Sequence, residues 1–236
     1  MKSLLIVSII LAGCIVSTSE PTLYPYLSDP DISNKLGEPV TDSAYFFPIE
    51  HFIDSIKFSN TIEIRLDTFS VEWYSEQLRF MSEPILYNFY LGKQVYRLTW
   101  LRSLHPGIVL RLENLNGEII LTQKELTLIK PWKRVDSVTY TYAPERFKLK
   151  DKSKKLKSEF WRDFERLLAD NNFDNMPTTV AWEVGTDGSE WILERHDKDG
   201  YFVVNRWTPN ERQYKNFREI GDYLIDASIF KKDERY

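Results

Sequence analysis

The sequence predicts an α+β domain built mainly on antiparallel sheet, and three observations predict it. Short stretches alternate apolar and polar residues with period two, as half-buried strands do. The pair Asn116-Gly117 separates two such stretches as a tight hairpin turn would. The helical stretches do not alternate with the strands as repeated βαβ units, which argues against a parallel sheet. Of 236 residues, 42% are hydrophobic and 14% aromatic, enough apolar surface for a sizeable core.

The chain opens on Met1-Lys2 and an almost wholly apolar run from Ser3 to Ala12. A bilayer-spanning helix needs roughly 20 such residues, about twice this length, so the run has the anatomy of an export signal. Leu11-Ala12-Gly13-Cys14 resembles the lipobox of bacterial lipoproteins, with the chain's one cysteine at its last position. The resemblance implies cleavage after Gly13, a diacylglycerol thioether on Cys14 and acylation of the new N-terminus. Two or more acyl chains hold a protein stably where one holds it marginally. An ordinary cleaved signal and an uncleaved N-terminal anchor are the alternatives. Ile15 follows the cysteine rather than Asp, and no acidic pair comes soon after. The expected address is therefore the outer membrane facing the periplasm, ahead of the inner membrane or the cell surface. With a single cysteine there is neither a disulfide framework nor a cysteine-rich zinc site.

Residues 14–44 are expected to form the lipidated N-terminus and a flexible tether, because Pro21, Pro25, Pro30 and Pro39 punctuate a polar stretch. An edge strand over residues 21–28 is the alternative. Residues 45–230 are expected to form one domain, or two packed halves joined near Lys150.

Within the domain, Thr61–Leu66 alternates as a strand. Asp67 or Thr68 caps a helix running to Met81, with Val71, Tyr74, Leu78 and Met81 at helical spacing and Pro84 beyond it. Strands follow at Val95–Arg102, Ile108–Glu113, Glu118–Thr122 and Val135–Tyr142. A helix is predicted over Ser153–Asp170, where Leu156, Phe160, Phe164, Leu167 and Leu168 make one apolar stripe. A three-strand meander comes next: Thr178–Val184, Glu190–Arg195 and Tyr201–Trp207. Thr208-Pro209-Asn210-Glu211 has the form of a capping box. It introduces a last helix with Tyr214, Phe217, Ile220, Leu224 and Ile225 on one face.

Few constellations point to chemistry. With 31 Lys+Arg against 35 Asp+Glu the net charge is −4, which supplies no phosphate-binding footprint, so nucleic acid is not expected as a partner. His51, His105 and His196 lack metal-ligand spacing, and Gly-x-Ser-x-Gly is absent. His196-Asp197-Lys198-Asp199-Gly200 reads as a hairpin turn rather than a calcium loop, because Thr208 stands where the bidentate Glu would be needed. No metal or other cofactor is expected. Glu190 and Glu194 share a strand face near Glu183, and paired carboxylates of this kind, or His196, would serve a hydrolase acting on envelope glycan or peptide. Solvated strand faces explain them as well.

The arginines are more unusual. Arg65, Arg97, Arg102, Arg111 and Arg206 lie inside apolar runs, several beside Trp or Tyr, as in Arg206-Trp207. A guanidinium on a sheet face can grip a carboxylate or phosphate bidentately and stack on a ring. Arg97, Arg102, Arg111, Arg206 and Trp207 are therefore the candidate anionic-ligand or partner surface. The competing reading is Arg–Glu pairing across strands. Lys148, Lys150, Lys152, Lys154, Lys155 and Lys157 crowd the predicted entry to the second long helix, as a solvated linker or as a patch for anionic headgroups.

Three blocks carry a wider resemblance. They are Trp73-Tyr74-Ser75-Glu76-Gln77-Leu78 with Glu83-Pro84; Tyr96 to Arg102 with Ile108 to Glu113; and Asp187 to Glu194 with Val203 to Pro209. Together they resemble an uncharacterised family of small bacterial exported proteins and lipoproteins, over about residues 70–227. The resemblance implies an envelope location and no particular activity. The family pattern Tyr-His-Val-Val-Asp-Arg-Trp is Tyr201-Phe202-Val203-Val204-Asn205-Arg206-Trp207 here, which removes two ionisable groups. The sequence thus predicts a lipid-anchored envelope protein that binds rather than catalyses. An immunity-type protein neutralising an envelope-acting toxin, and a hydrolase, are the alternatives.

Overall fold

The structure is a computed structural model, and it describes residues 23–58, 61–128, 133–134, 140–141, 147–180 and 187–236. Cys14, the predicted signal, Glu183 and most of the predicted strand Val135–Tyr142 lie outside the described residues.

The fold is α+β and antiparallel. In chain order the elements are β1 (Ile53–Phe58), β2 (Thr61–Leu66), α1 (Thr68–Phe80), β3 (Gln94–Arg102), β4 (Gly107–Leu115), β5 (Glu118–Leu128), β6 (Lys133–Arg134) and β7 (Tyr140–Thr141). They continue with β8 (Phe147–Leu156), α2 (Ser158–Asp170), β9 (Ser189–Asp197), β10 (Gly200–Trp207) and α3 (Lys215–Asp226). Six strands form the main sheet in the order β10-β9-β3-β4-β5-β8, while β1–β2 and β6–β7 are separate two-stranded ribbons. The sheet interleaves strands from before and after Lys150, since β3 pairs with both β4 and β9.

Local chemistry sets the elements. Asp67 caps α1 by accepting from the Ser70 amide at 3.0 Å. Asn116 and Gly117 both take positive φ, 52° and 90°, as the tight β4–β5 turn requires. Both faces of the sheet are covered. Tyr96, Leu98, Trp100, Leu110, Leu121, Trp191 and Leu193 pack against Trp161, Phe164, Leu168, Phe217, Ile220 and Leu224 of α2 and α3. On the opposite face Val95, Leu101, Val109, Ile192, Tyr201 and Val203 meet Val71, Tyr74 and Leu78 of α1 together with Phe46, Phe47, Phe52, Ile85 and Leu86.

Four segments differ from the sequence expectation. Residues 147–156 form an edge strand, so Ser153–Leu156 are not the first turn of a helix, and α2 begins at Ser158. The alternating lysines tolerate an exposed edge, whereas clustered positive charge is unfavourable at a helix N-terminus. The last helix starts at Lys215 instead of following the capping box. Asn210 instead closes a turn by accepting from the amides of Arg212 and Gln213 at 2.9 and 3.0 Å. Within the expected tether, residues 23–44 are bound to the domain. Tyr24 bridges Tyr201 on β10, and the Asn88 side chain exchanges hydrogen bonds with the Asp29 backbone at 2.9 and 2.7 Å. Thr178–Val180 is not a strand, although the Thr178 carbonyl accepts from the Asn205 amide at 2.7 Å.

Gly221 fixes how closely α3 approaches the sheet. A Cβ there would stand 2.5 Å from the ring of Trp191, which is fully buried. Gly221→Ala should therefore destabilise the protein by about 1–3 kcal/mol through overpacking, although alanine is the better helix former by roughly 1 kcal/mol. Urea unfolding checks the sign: a more stable variant would show that α3 can move away from Trp191.

Candidate functional site

The ionisable groups of greatest interest lie between the sheet and α1. β3 is the central strand and is buried along nearly its whole length. Its register sets Arg97 directly opposite Arg111 of β4 on one side and Glu194 of β9 on the other. Two opposed, largely buried guanidinium groups repel unless an anion joins them. Glu83, in the turn after α1, supplies it. Its Oε2 lies 2.7 Å from Arg111 Nη1 and 3.5 Å from Arg97 Nη1, and its Oε1 lies 2.9 Å from Lys124 Nζ of β5. Arg97 grips Glu194 bidentately, Nε to Oε2 at 2.5 Å and Nη2 to Oε1 at 2.7 Å, and Nη1 donates to the Pro84 carbonyl at 2.6 Å. The Tyr201 hydroxyl donates to Glu194 at 3.0 Å. Lys124 also donates to the carbonyls of Met81 and Ser82, at 2.7 and 3.2 Å, and so closes the C-terminal end of α1. Glu113 extends the network outward to Arg111 at 3.3 Å and Lys93 at 2.5 Å.

Electrostatics follow the contacts. Burial alone would push the Glu83 carboxyl up, but Arg111, Arg97 and Lys124 outweigh it and hold it below the ordinary carboxylate range. Full burial pushes Glu194 up, opposed by Arg97 and the Tyr201 hydroxyl. Burial disfavours the Arg97 and Arg111 charges, yet Glu194 and Glu83 carry both guanidinium groups above their usual range. The arrangement is a set of mutually satisfied charges that ties the end of α1 to three strands.

The five residues expected on a ligand or partner surface are dispersed. Arg97 and Arg111 converge, and the group on which they converge is the carboxylate of Glu83. Arg102 lies on the opposite face, buried, over the Trp100 ring at 4.6 Å, with its guanidinium on the Pro106 carbonyl and on Asp233 at 3.0 Å. Arg206 is buried over Tyr214 at 5.1 Å and donates to the carbonyls of Pro177, Thr178 and Asn205. Trp207 is half-buried and shields Gly188. Cross-strand pairing with Glu194 thus accounts for Arg97, Glu83 from the turn after α1 for Arg111, and ring stacking together with Asp233 for Arg102. Cys14 lies outside the described residues.

No family model matches the chain, and no curated protein matches it.

The residues considered for hydrolysis sit in different settings. Glu194 is engaged by Arg97. Glu190 shares its face and lies near the Tyr74 hydroxyl, whose ionisation burial and Glu190 together oppose. His196 is fully buried. Its Nδ1 donates to the Leu86 carbonyl at 2.7 Å, its Nε2 accepts from the Leu91 amide at 3.1 Å, and the Tyr26 hydroxyl lies 3.0 Å from Nδ1. Both ring nitrogens are therefore committed to the backbone, which fixes one neutral tautomer. Among the described residues no group of three or more His, Cys, Asp and Glu side chains could hold a metal ion.

Glu83 and Lys124 are the members at the centre of the network that sequence reasoning missed, and Glu113, Lys93 and Tyr201 at its margin were missed with them. None of them stands out by composition. Only the strand register, which opposes Arg97 to Arg111, calls for an anion between them.

Burial lowers the His196 imidazole to about 4, against the usual 6.5. A proton therefore binds the unfolded chain first as pH falls. The stability owed to neutral His196 is complete above about pH 6.5 and lost down to about pH 4, by roughly 3 kcal/mol at 1.36 kcal/mol per unit. Denaturant unfolding at pH 7 and pH 4 should show a smaller loss in His196→Asn than in the parent; equal losses would refute the assignment.

Proposed function

We propose that the mature protein is a bacterial envelope lipoprotein, held to the membrane through Cys14, that acts by binding a partner rather than by covalent chemistry. The observation that carries the anchoring half is Leu11-Ala12-Gly13-Cys14, with the chain's single cysteine at the end of a short apolar run behind one lysine. Among the described residues no helix is long and apolar enough to cross a membrane.

The binding half is supported by where the ionisable groups go. A nucleophile or general base needs a side chain with spare valence in reach of substrate. His196 has both nitrogens on backbone groups, Glu194 is engaged by Arg97, and Glu83 is shared among three cations. These groups fasten the sheet to the turn after α1 and to the backbone at Leu86 and Leu91, and a sheet braced in this way suits the presentation of a fixed surface to a partner.

Cys14→Ala should abolish incorporation of labelled palmitate and release the protein from the membrane fraction of its host. An unchanged membrane fraction with no lipid label would refute the anchor.

A further inference from the structure

We propose that the open edge of β8 takes up an extended acidic segment of a partner protein, which joins the main sheet as an added strand. The inference deepens the binding reading above by naming the surface and the chemistry of its partner.

Among the described residues β8 is the last strand of the sheet and pairs only with β5, so one row of its amide and carbonyl groups faces away from the sheet. The strand runs ten residues and is exposed from Lys148 to Lys155. It carries five lysines and one aspartate in a chain whose net charge is −4. Lys148, Lys150, Lys152 and Lys154 occupy alternate positions and share one face, about 7 Å apart. Among the described residues only Lys150 of the four meets a carboxylate, Glu125 at 3.1 Å, and it also stands over the Phe230 ring at 5.1 Å, while Lys154 reaches the Ala227 carbonyl. Lys148 and Lys152 lie opposite Thr127 and Gln123 of β5, neither of which is charged, and have no partner among the described residues.

An acidic strand answers both features at once. Its backbone satisfies the open row of hydrogen-bonding groups, and alternate carboxylates fall beside alternate ammonium groups. A second copy of β8 would set lysine against lysine, so the pattern that admits an acidic strand also resists self-pairing.

The open edge favours a protein segment over a lipid surface, because an extended chain brings amide and carbonyl groups at the strand's own spacing together with its carboxylates, whereas a headgroup surface brings charge alone.

The test uses the full chain in zwitterionic detergent and a fluorescent heptapeptide of alternating Glu and Val. The peptide should bind, and Lys148→Glu/Lys152→Glu should weaken it about tenfold while preferring a Lys-Val peptide instead. Both substitutions are exposed, so an unchanged urea midpoint certifies the fold. Backbone N-methylation of the acidic peptide at alternate residues separates strand addition from simple charge attraction. One phase of methylation should abolish binding and the other should leave it intact. Equal behaviour of the two phases overturns the proposal, and so does displacement of the peptide by phosphatidylglycerol vesicles of equal charge. The detergent assay does not depend on the lipid at Cys14, so its failure is distinguishable from failure of the anchor. A native partner held equally by the parent and the double variant would leave the binding role standing and remove β8 from it.

Discussion

The fold depends on one carboxylate held among three cations. β3 lies in the middle of a sheet that is covered on both faces, and its register sets the fully buried Arg97 against the largely buried Arg111. A buried charge without a counter-ion costs several kcal/mol, and removing one partner from a buried pair typically costs about 3–5 kcal/mol. Glu83 resolves the conflict from the turn after α1, and Ser82 takes a positive φ of 51° in that turn. Lys124 approaches from β5 and takes the carbonyls at the end of the helix. The position of α1, the turn at Met81–Ser82 and the pairing of β3, β4, β5 and β9 are thus parts of one electrostatic solution. Hydrophobic burial by Val71, Tyr74 and Leu78 supplies affinity between the layers, and the charges fix where they meet.

That solution bears on function. Arginines in apolar strands can form a ligand face, and here Arg97, Arg102, Arg111 and Arg206 are turned into the protein, while Arg65 is exposed. Arg97 and Arg111 serve Glu83, Arg102 fastens the segment at Asp233, and Arg206 fastens residues 177–178 beside β10. Charge left for partners is on the outside, and it is unevenly placed: β8 is strongly basic in a chain that is acidic overall. Recognition by an exposed edge and anchoring by a lipid both suit a molecule whose internal ionisable groups are committed.

Much of the fold is legible in the sequence because its signals are local. Asp67 before an apolar 3.6 period, Asn116-Gly117 between alternating runs, and Phe217, Ile220, Leu224 and Ile225 each specify an element without reference to distant residues. β8 differs from the sequence expectation because an edge strand needs little apolar signal. Its period of two is written in lysines after Phe147 and Leu149, and the apolar stripe of α2 drew the helix too far back. The start of α3 differs because Asn210 spends its side chain on a turn. Glu83 and Lys124 were invisible for a different reason: their role exists only once β3, β4 and β5 are in register. Cys14 is the reverse case, legible only as a motif.

The central claim is that Arg97 is spent inside the fold and presents no face to ligands. Side-chain NMR of the guanidinium tests it directly. The account predicts an Arg97 Nε–H signal that exchanges with solvent only as slowly as global unfolding allows and does not shift when acetate or phosphate is added. A fast-exchanging signal that moves with either anion would contradict it.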